Sequence, residues 1–218
     1  MSHLERGLAL LGQQEESADR DRRELGLRID LATPIMATYG FATPQMEENV
    51  ERSVVLSGRL GETPEVFPVL YGSWVYTYTS GQIAKGLETA KEITRLAARQ
   101  NSEVPRMIGH RTLGISLGAL GHMIECRNEL EAGDKLYDAD QHRPLANVYG
   151  MDFRAVNLAY LCLADWLLGF PDQAAARADA AIRHATSVDH PNSLGHCLTF
   201  AGGFLSALNQ RSDSLRDT

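Results

Sequence analysis

The sequence predicts an all-α fold, an α-α superhelix built from antiparallel helix pairs, and three observations carry that expectation. Glycine follows apolar helical stretches in "ATYGFATP" (Gly40), "YTSGQIAK" (Gly81), "GALGHMIE" (Gly121) and "WLLGFPDQ" (Gly169), with gaps of 41, 40 and 48 residues. Small residues stand five positions after the last three of these glycines, at Gly86, Cys126 and Ala174. No segment alternates as a strand does; "VVL" (54–56) and "WVYTYT" (74–79) fit helical stripes in their surroundings. A helix–turn–helix unit recurring about every 40 residues is the signature of a solenoid.

The pattern predicts about ten helices. The first, 3–13, reads as the second helix of a repeat without its first. The next, 18–39, ends at Gly40. "TP" at 43–44 and at 63–64 starts helices 44–59 and 63–79, with Thr43 and Thr63 as caps and proline in the first helical position. Gly81 separates 63–79 from 82–99, and Gly121 separates 103–119 from 122–137. Gly169 separates 149–168 from 171–187, and "HP" at 190–191 opens 191–208. Twelve residues after the glycines stand the small Gly133 and Ala181, a pattern that Ile93 breaks; the unit after Gly40 fits only with a one-residue shift, at Met46 and Ser53. A further step of 40 from Gly169 reaches Asn209, which also tolerates a left-handed turn. Helix 191–208 reads as a first helix without its second. The expected organisation is one domain over 1–218, with half-repeats at both ends, as in a segment of a larger protein.

The longest gap, between Gly121 and Gly169, exceeds the others by about eight residues, which predicts an inserted loop at about 138–148. Its sequence, "DADQHRPLAN", begins with turn-forming acids, and Pro144 disfavours helical geometry at Arg143.

The chain has 218 residues and a formal net charge of −7. That balance, with no basic stripe, argues against nucleic acid or an anionic membrane as partner. The most apolar run, "LAYLCLADWLLG" (158–169), is too short to span a bilayer and carries Asp165. Three dispersed cysteines, Cys126, Cys162 and Cys197, without a CxxC pair, suit buried thiols in a reducing compartment. A cytoplasmic protein is expected.

Motifs that carry chemistry are sparse. There is no GxxxxGK[ST] phosphate loop, no GxSxG and no HExxH. "GISLGALG" (114–121) lies within a helical pattern and reads as a close helix–helix contact. Asp138, Asp140 and His142 alternate, and His184, His190 and His196 are six apart, a spacing that sends side chains to opposite sides of a helix rather than onto one metal. Asp138 and Asp140 could form an acid–base pair only in a cleft that splits their pKa values. No catalytic residue, cofactor or metal is therefore expected, and an enzyme or metal site on the 137–152 loop is the minor alternative.

In a helix-pair solenoid the first helices line the concave face. Residues ten, six and three before each turn glycine then share it: Tyr71, Val75 and Tyr78; Arg111, Ile115 and Gly118; Ala159, Leu163 and Trp166. Tyrosine, tryptophan and arginine commonly anchor partners, so Tyr71, Val75, Tyr78, Arg111, Ile115 and Trp166 are the candidate groove residues for a protein, a peptide or a small-molecule effector. The aromatic residues could equally fill gaps between repeats.

The segments "GETPEVFPVLYGSW" (61–74), "HRTLGISLGALG" (110–121), "LYDADQHRPLANVYGMD" (136–152), "LADWLLGFPDQAAARADAAI" (163–182) and "HPNSLGHCLTFA" (190–201) resemble a tetratricopeptide-like helical region of bacterial signalling proteins. That region follows a class III adenylate or guanylate cyclase domain and an AAA-type ATPase, and is similar to the helical domain of maltose-regulator-type transcriptional activators. Asp138-Ala139-Asp140 departs from the more usual Asp-Pro, and Phe153-Arg154 from a small pair. The resemblance implies a scaffold with a regulatory role and no catalysis of its own. It leaves open an effector-binding domain of a transcription factor, or a homodimer formed through unpaired terminal helices.

Overall fold

A computed structural model describes residues 2–61, 63–100 and 102–208, and their regular structure is entirely helical. The elements are α1 (Ser2–Leu11), α2 (Ala18–Tyr39), α3 (Pro44–Leu60), α4 (Val66–Thr79), α5 (Ile83–Ala97), α6 (Glu103–Ala119), α7 (Met123–Lys135), α8 (Ala139–His142), α9 (Leu145–Tyr149), α10 (Phe153–Leu167), α11 (Pro171–Val188), α12 (Pro191–Cys197) and α13 (Leu205–Leu208). The chain divides into two compact units, residues 1–89 and 90–218, with the division inside α5.

In the first unit each of α1 to α4 packs on its neighbour in the chain, and α2 also reaches α4. Leu31 and Ile35 of α2 meet Met46 and Val50 of α3, with Leu4 and Leu8 of α1 closing one side. Leu25, Leu56 and Val69 form the adjoining cluster. Caps set the helix starts: the Arg20 N–H donates to Ser17 Oγ at 3.2 Å, and the Met46 N–H to Thr43 Oγ1 at 3.4 Å.

In the second unit the pair α6/α7 stacks on α10/α11, which packs on α12 and the segment that follows it. Ala174, Ala178, Ala181 and Ala185 form one stripe of α11 against Ala155, Ala159 and Cys162 of α10. Such a stripe keeps the helix pair close. Gly114 and Gly118 serve the same purpose in α6, because a Cβ at Gly118 would lie 2.9 Å from Cys126 Sγ and one at Gly114 2.9 Å from Leu130 Cγ. "GISLGALG" is thus a helix contact. The small residues five and twelve positions after the turn glycines, Gly86, Cys126, Gly133, Ala174 and Ala181, are buried, and so is Ile93, which breaks the small pattern.

The turns at Gly81, Gly121 and Gly169 are the same structure three times over. Their φ angles are 80°, 89° and 87°, in the left-handed region that glycine enters without steric cost. The N–H of the following residue (Gln82, His122 and Phe170) donates five residues back, to Thr77, Leu117 and Asp165, at 2.8, 3.0 and 2.8 Å. This is the Schellman closure of a helix end. Gly40 is different. Its φ of 97° comes with ψ of −178°, and Phe41 to Thr43 intervene before α3 because the Thr43 cap needs an extended residue ahead of Pro44.

Four expectations are corrected. Helix α4 begins at Val66, not at 63, and Thr63 gives it no side-chain cap. A start at Pro64 would place Pro68 in the helix interior, where its missing N–H and its ring break the ladder; a start at Val66 leaves Pro68 in the tolerant first turn. The inserted loop is not irregular: α8 and α9 occupy most of it, and Arg143 is helical at φ −52° and ψ −42° despite Pro144. Helix α10 begins at Phe153, because Gly150 (φ 76°, ψ −9°) ends α9 and Asp152 caps a new helix. The last predicted helix widens into a π-helical segment, Leu198–Phe204, around the Gly202–Gly203 pair. Asn209 and the tail beyond it lie outside the described residues.

Candidate functional site

Three buried carboxylates organise the polar chemistry of the two units, and each is held by specific donors. In the first unit Glu24 on α2 accepts two hydrogen bonds from Arg52 of α3, both 2.7 Å, and one from Arg28 at 2.9 Å. The Arg52 bonds outweigh burial and hold the Glu24 carboxyl down at about 2. Asn49 adds a side-chain bond to the Arg28 carbonyl at 3.0 Å.

In the second unit Asp165, fully buried in α10, lies between two arginines. Arg127 Nε of α7 is 3.2 Å from Oδ1, and Arg177 Nε of α11 is 3.4 Å from Oδ2. Both arginines also pair with Glu131, so one cluster ties three helices. Arg127 continues outward over the Phe170 ring at 5.3 Å and donates to Gln173 at 3.0 Å.

Asp152, also fully buried, is the hub beneath the inserted segment. Its Oδ1 accepts the Ala155 N–H and the His184 ring N–H, each at 2.9 Å, and its Oδ2 accepts the Tyr137 hydroxyl at 2.6 Å. Burial would raise this carboxyl, but the His184, Tyr137 and Ala155 donors outweigh it and keep it below the usual carboxylate range. Burial, followed by the hydrogen bond to Asp152 and then its charge, pushes the Tyr137 phenol well up, so it remains a donor. The Asp152 N–H donates to Ser193 Oγ at 2.8 Å, and Ser193 Oγ lies 2.9 Å from His190 Nδ1.

Asp, His and Ser therefore meet here, but not as a nucleophile relay. The histidine oriented by Asp152 is His184, while the one beside Ser193 is His190. Relay chemistry needs one imidazole bonded to both the acid and the hydroxyl. Ser193 is also wholly buried, with its hydroxyl engaged on both sides. The arrangement is a three-way tie between α10, α11 and α12.

The inserted segment is fastened to this hub. Asp138 Oδ1 accepts the N–H groups of Asp140 and Gln141, at 2.9 and 3.2 Å, and the Asp138 N–H donates to buried His142 Nδ1 at 2.9 Å. Asp138 and Asp140 are thus a helix cap and a first-turn residue rather than an acid–base pair. His142 and His184 both pack on the Tyr137 ring, at 5.8 and 5.4 Å. No cluster of three or more His, Cys, Asp or Glu side chains suited to a metal occurs among the described residues. Burial pushes the thiols of Cys162 and Cys197 up to about 12 and that of Cys126 to about 11.

The six expected groove residues are placed unevenly. Tyr71, Val75, Arg111 and Ile115 are each less than a tenth exposed, and Tyr78 and Trp166 are half-buried. Arg111 lies 5.0 Å over the ring of Phe153 on α10. Trp166 packs on the alanine-rich core, and Tyr78 stacks on Trp74 at 5.3 Å. The positions ten and six before the glycines face packed helices because the spacing that lines a groove is also the spacing that packs one repeat on the next. Of the six, the two that stand three before a turn, Tyr78 and Trp166, retain open area. Near Arg111, burial and then the Arg111 cation drop His196 to about 4, and the neutral ring stacks on Phe200 at 4.2 Å.

Sequence reasoning passes over a more open surface in the second unit. Leu120 and Ile124 flank the Gly121 turn and are 43 % and 63 % exposed; Leu167 and Phe170 flank the Gly169 turn at 55 % and 43 %. The Arg127 contacts with Phe170 and Gln173 link α7 to the Gly169 turn. The available signal is the apolar character of residues beside a turn, where polar ones are usual.

No protein-family model matches the chain, and neither a curated protein nor a solved structure matches it significantly. No helix among the described residues is long and apolar enough to cross a membrane.

Proposed function

We propose that the chain is a non-catalytic helical-repeat scaffold of the tetratricopeptide-like kind, which binds a protein or peptide. The observation that carries this reading is the apolar edge at two successive repeat turns: Leu120, Ile124, Leu167 and Phe170 stay exposed where identical Schellman closures repeat. Apolar side chains clustered in water mark contact surfaces. The buried carboxylates support it from the other side, because each of their close partners belongs to the packing of helices. The net charge of −7 favours a protein or peptide over nucleic acid.

Attachment to a nucleotide cyclase or ATPase is part of the proposal and rests on the resemblance of the five segments. The flanking reading frame tests it: an upstream phosphate loop or cyclase domain supports it, and an unrelated gene neighbour contradicts it. The binding reading is tested by selecting peptides from a random displayed library against the immobilised chain. Enriched peptides whose binding is lost in Ile124→Glu support it. Enriched peptides indifferent to both Ile124→Glu and Phe170→Glu, or no enrichment, contradict it.

A further inference from the structure

In the first unit α1 and α2 leave an open trough of about 500 Å³. Gly7, Leu10, Gly26 and Leu27 line it, and Arg23 and Asp30 stand at its rim. Leu10, Arg23 and Asp30 are exposed. Gly26 lies in the interior of α2, where glycine costs roughly 1 kcal/mol relative to alanine. A Cβ at that position would meet nothing within 4 Å, so packing within the described chain gives no reason for a glycine there.

The charges on this face are self-complementary. At 3.6 residues per turn, positions 23, 26, 27 and 30 fall within about 100° of the helix circumference. A two-fold axis perpendicular to α2, midway between Gly26 and Leu27, sets an antiparallel second copy with its Asp30 opposite Arg23 and its Arg23 opposite Asp30. Opposite charges then meet twice, and each Gly26 receives the Leu27 of the other copy with no Cβ in the way. Arg23 pairs with Asp19 at 2.7 Å, with both side chains about two-thirds exposed at 62 % and 66 %. Such a pair is weak and does not prevent a second acid from approaching.

We infer that this trough is a self-association surface whose occupant is α2 of a second copy of the chain, lying antiparallel. The inference does not depend on the partner-binding edge, which belongs to the other unit.

Sedimentation velocity of the full chain from about 1 to about 300 µM tests it. The expected result is a mass that rises from one copy to two with concentration. Arg23→Asp and Asp30→Arg should each move the transition at least about tenfold higher in concentration. The double variant Arg23→Asp/Asp30→Arg should return it to near the wild-type range, because the charges still oppose across the axis. Gly26→Ala should raise the melting temperature while weakening association, a split that a merely structural glycine would not give. A one-copy mass throughout, single reversals without effect, or a double variant no better than the singles would each overturn the inference.

Discussion

Glu24 contributes stability through its charged form, because Arg52 and Arg28 donate to a carboxylate and not to an acid. With its folded value near 2 and its ordinary value at 4.5, the contribution is complete above about pH 4.5 and is lost as pH falls towards 2. A carboxyl made ten times more acidic by folding gains about 1.4 kcal/mol, and Arg52 is partly solvated, so about 2 kcal/mol is expected to disappear over that window. Glu24→Gln should lower stability at pH 7 and flatten its pH dependence between 4.5 and 2, measured by urea denaturation along the pH series. An unchanged slope would show that another carboxylate governs the acid limb.

Asp165 is the sharper case. Its removal leaves Glu131 to balance both Arg127 and Arg177 beside a buried alanine-rich core. Breaking one side of a buried ion pair costs about 3–5 kcal/mol; with the arginines roughly a quarter exposed at 26 % and 27 %, Asp165→Ala should cost about 2–4 kcal/mol. Arg127→Met/Arg177→Met in that background should recover part of the loss. A chemical-denaturation midpoint unchanged by Asp165→Ala would show that the cluster does not hold the pair together.

Among the elements, the glycines separate by mechanism. Gly121→Ala must place a side chain at φ 89° and should cost roughly 1–2 kcal/mol. Gly114→Ala keeps helical geometry but drives a methyl to 2.9 Å from Leu130 Cγ, an overpacking worth about 1–3 kcal/mol. Gly58→Ala, with open space around its Cβ, should instead stabilise by somewhat under about 1 kcal/mol. Melting curves of the three variants check the signs, and a stabilised Gly114→Ala would contradict the close α6/α7 approach.

The same elements show what the sequence could reveal. The turn glycines and the small residues after them were legible, since both signals are local and recur. Boundaries were legible where a cap stood alone, as at Thr43, and failed where a second residue competed. Pro68 delays α4, and Gly150 with Asp152 moves the start of one expected helix from 149 to 153. The hub at Asp152 was not legible. His184 lies 32 residues away and Tyr137 lies 15 away, and no local pattern pairs them. The concave stripe was misplaced for a geometric reason: seven-residue spacing defines a helix face without saying whether water or another helix covers it.

Across the described residues, buried polar side chains cluster where helices are tied, and apolar side chains beside the Gly121 and Gly169 turns are among those left exposed. On the proposed reading, binding belongs to the surface and stability to the buried carboxylates, and the two should respond separately to substitution. The most direct measurement takes a peptide selected against the wild-type chain and compares its affinity and the melting temperature across Ile124→Glu, Phe170→Glu and Asp165→Ala. The expected result is binding at least about tenfold weaker in the first two, with melting within a few degrees of wild type, and a large fall in melting for the third. Unaltered affinity in Ile124→Glu and Phe170→Glu, or melting that collapses in them as it does in Asp165→Ala, would contradict the assignment of binding to the turn edge.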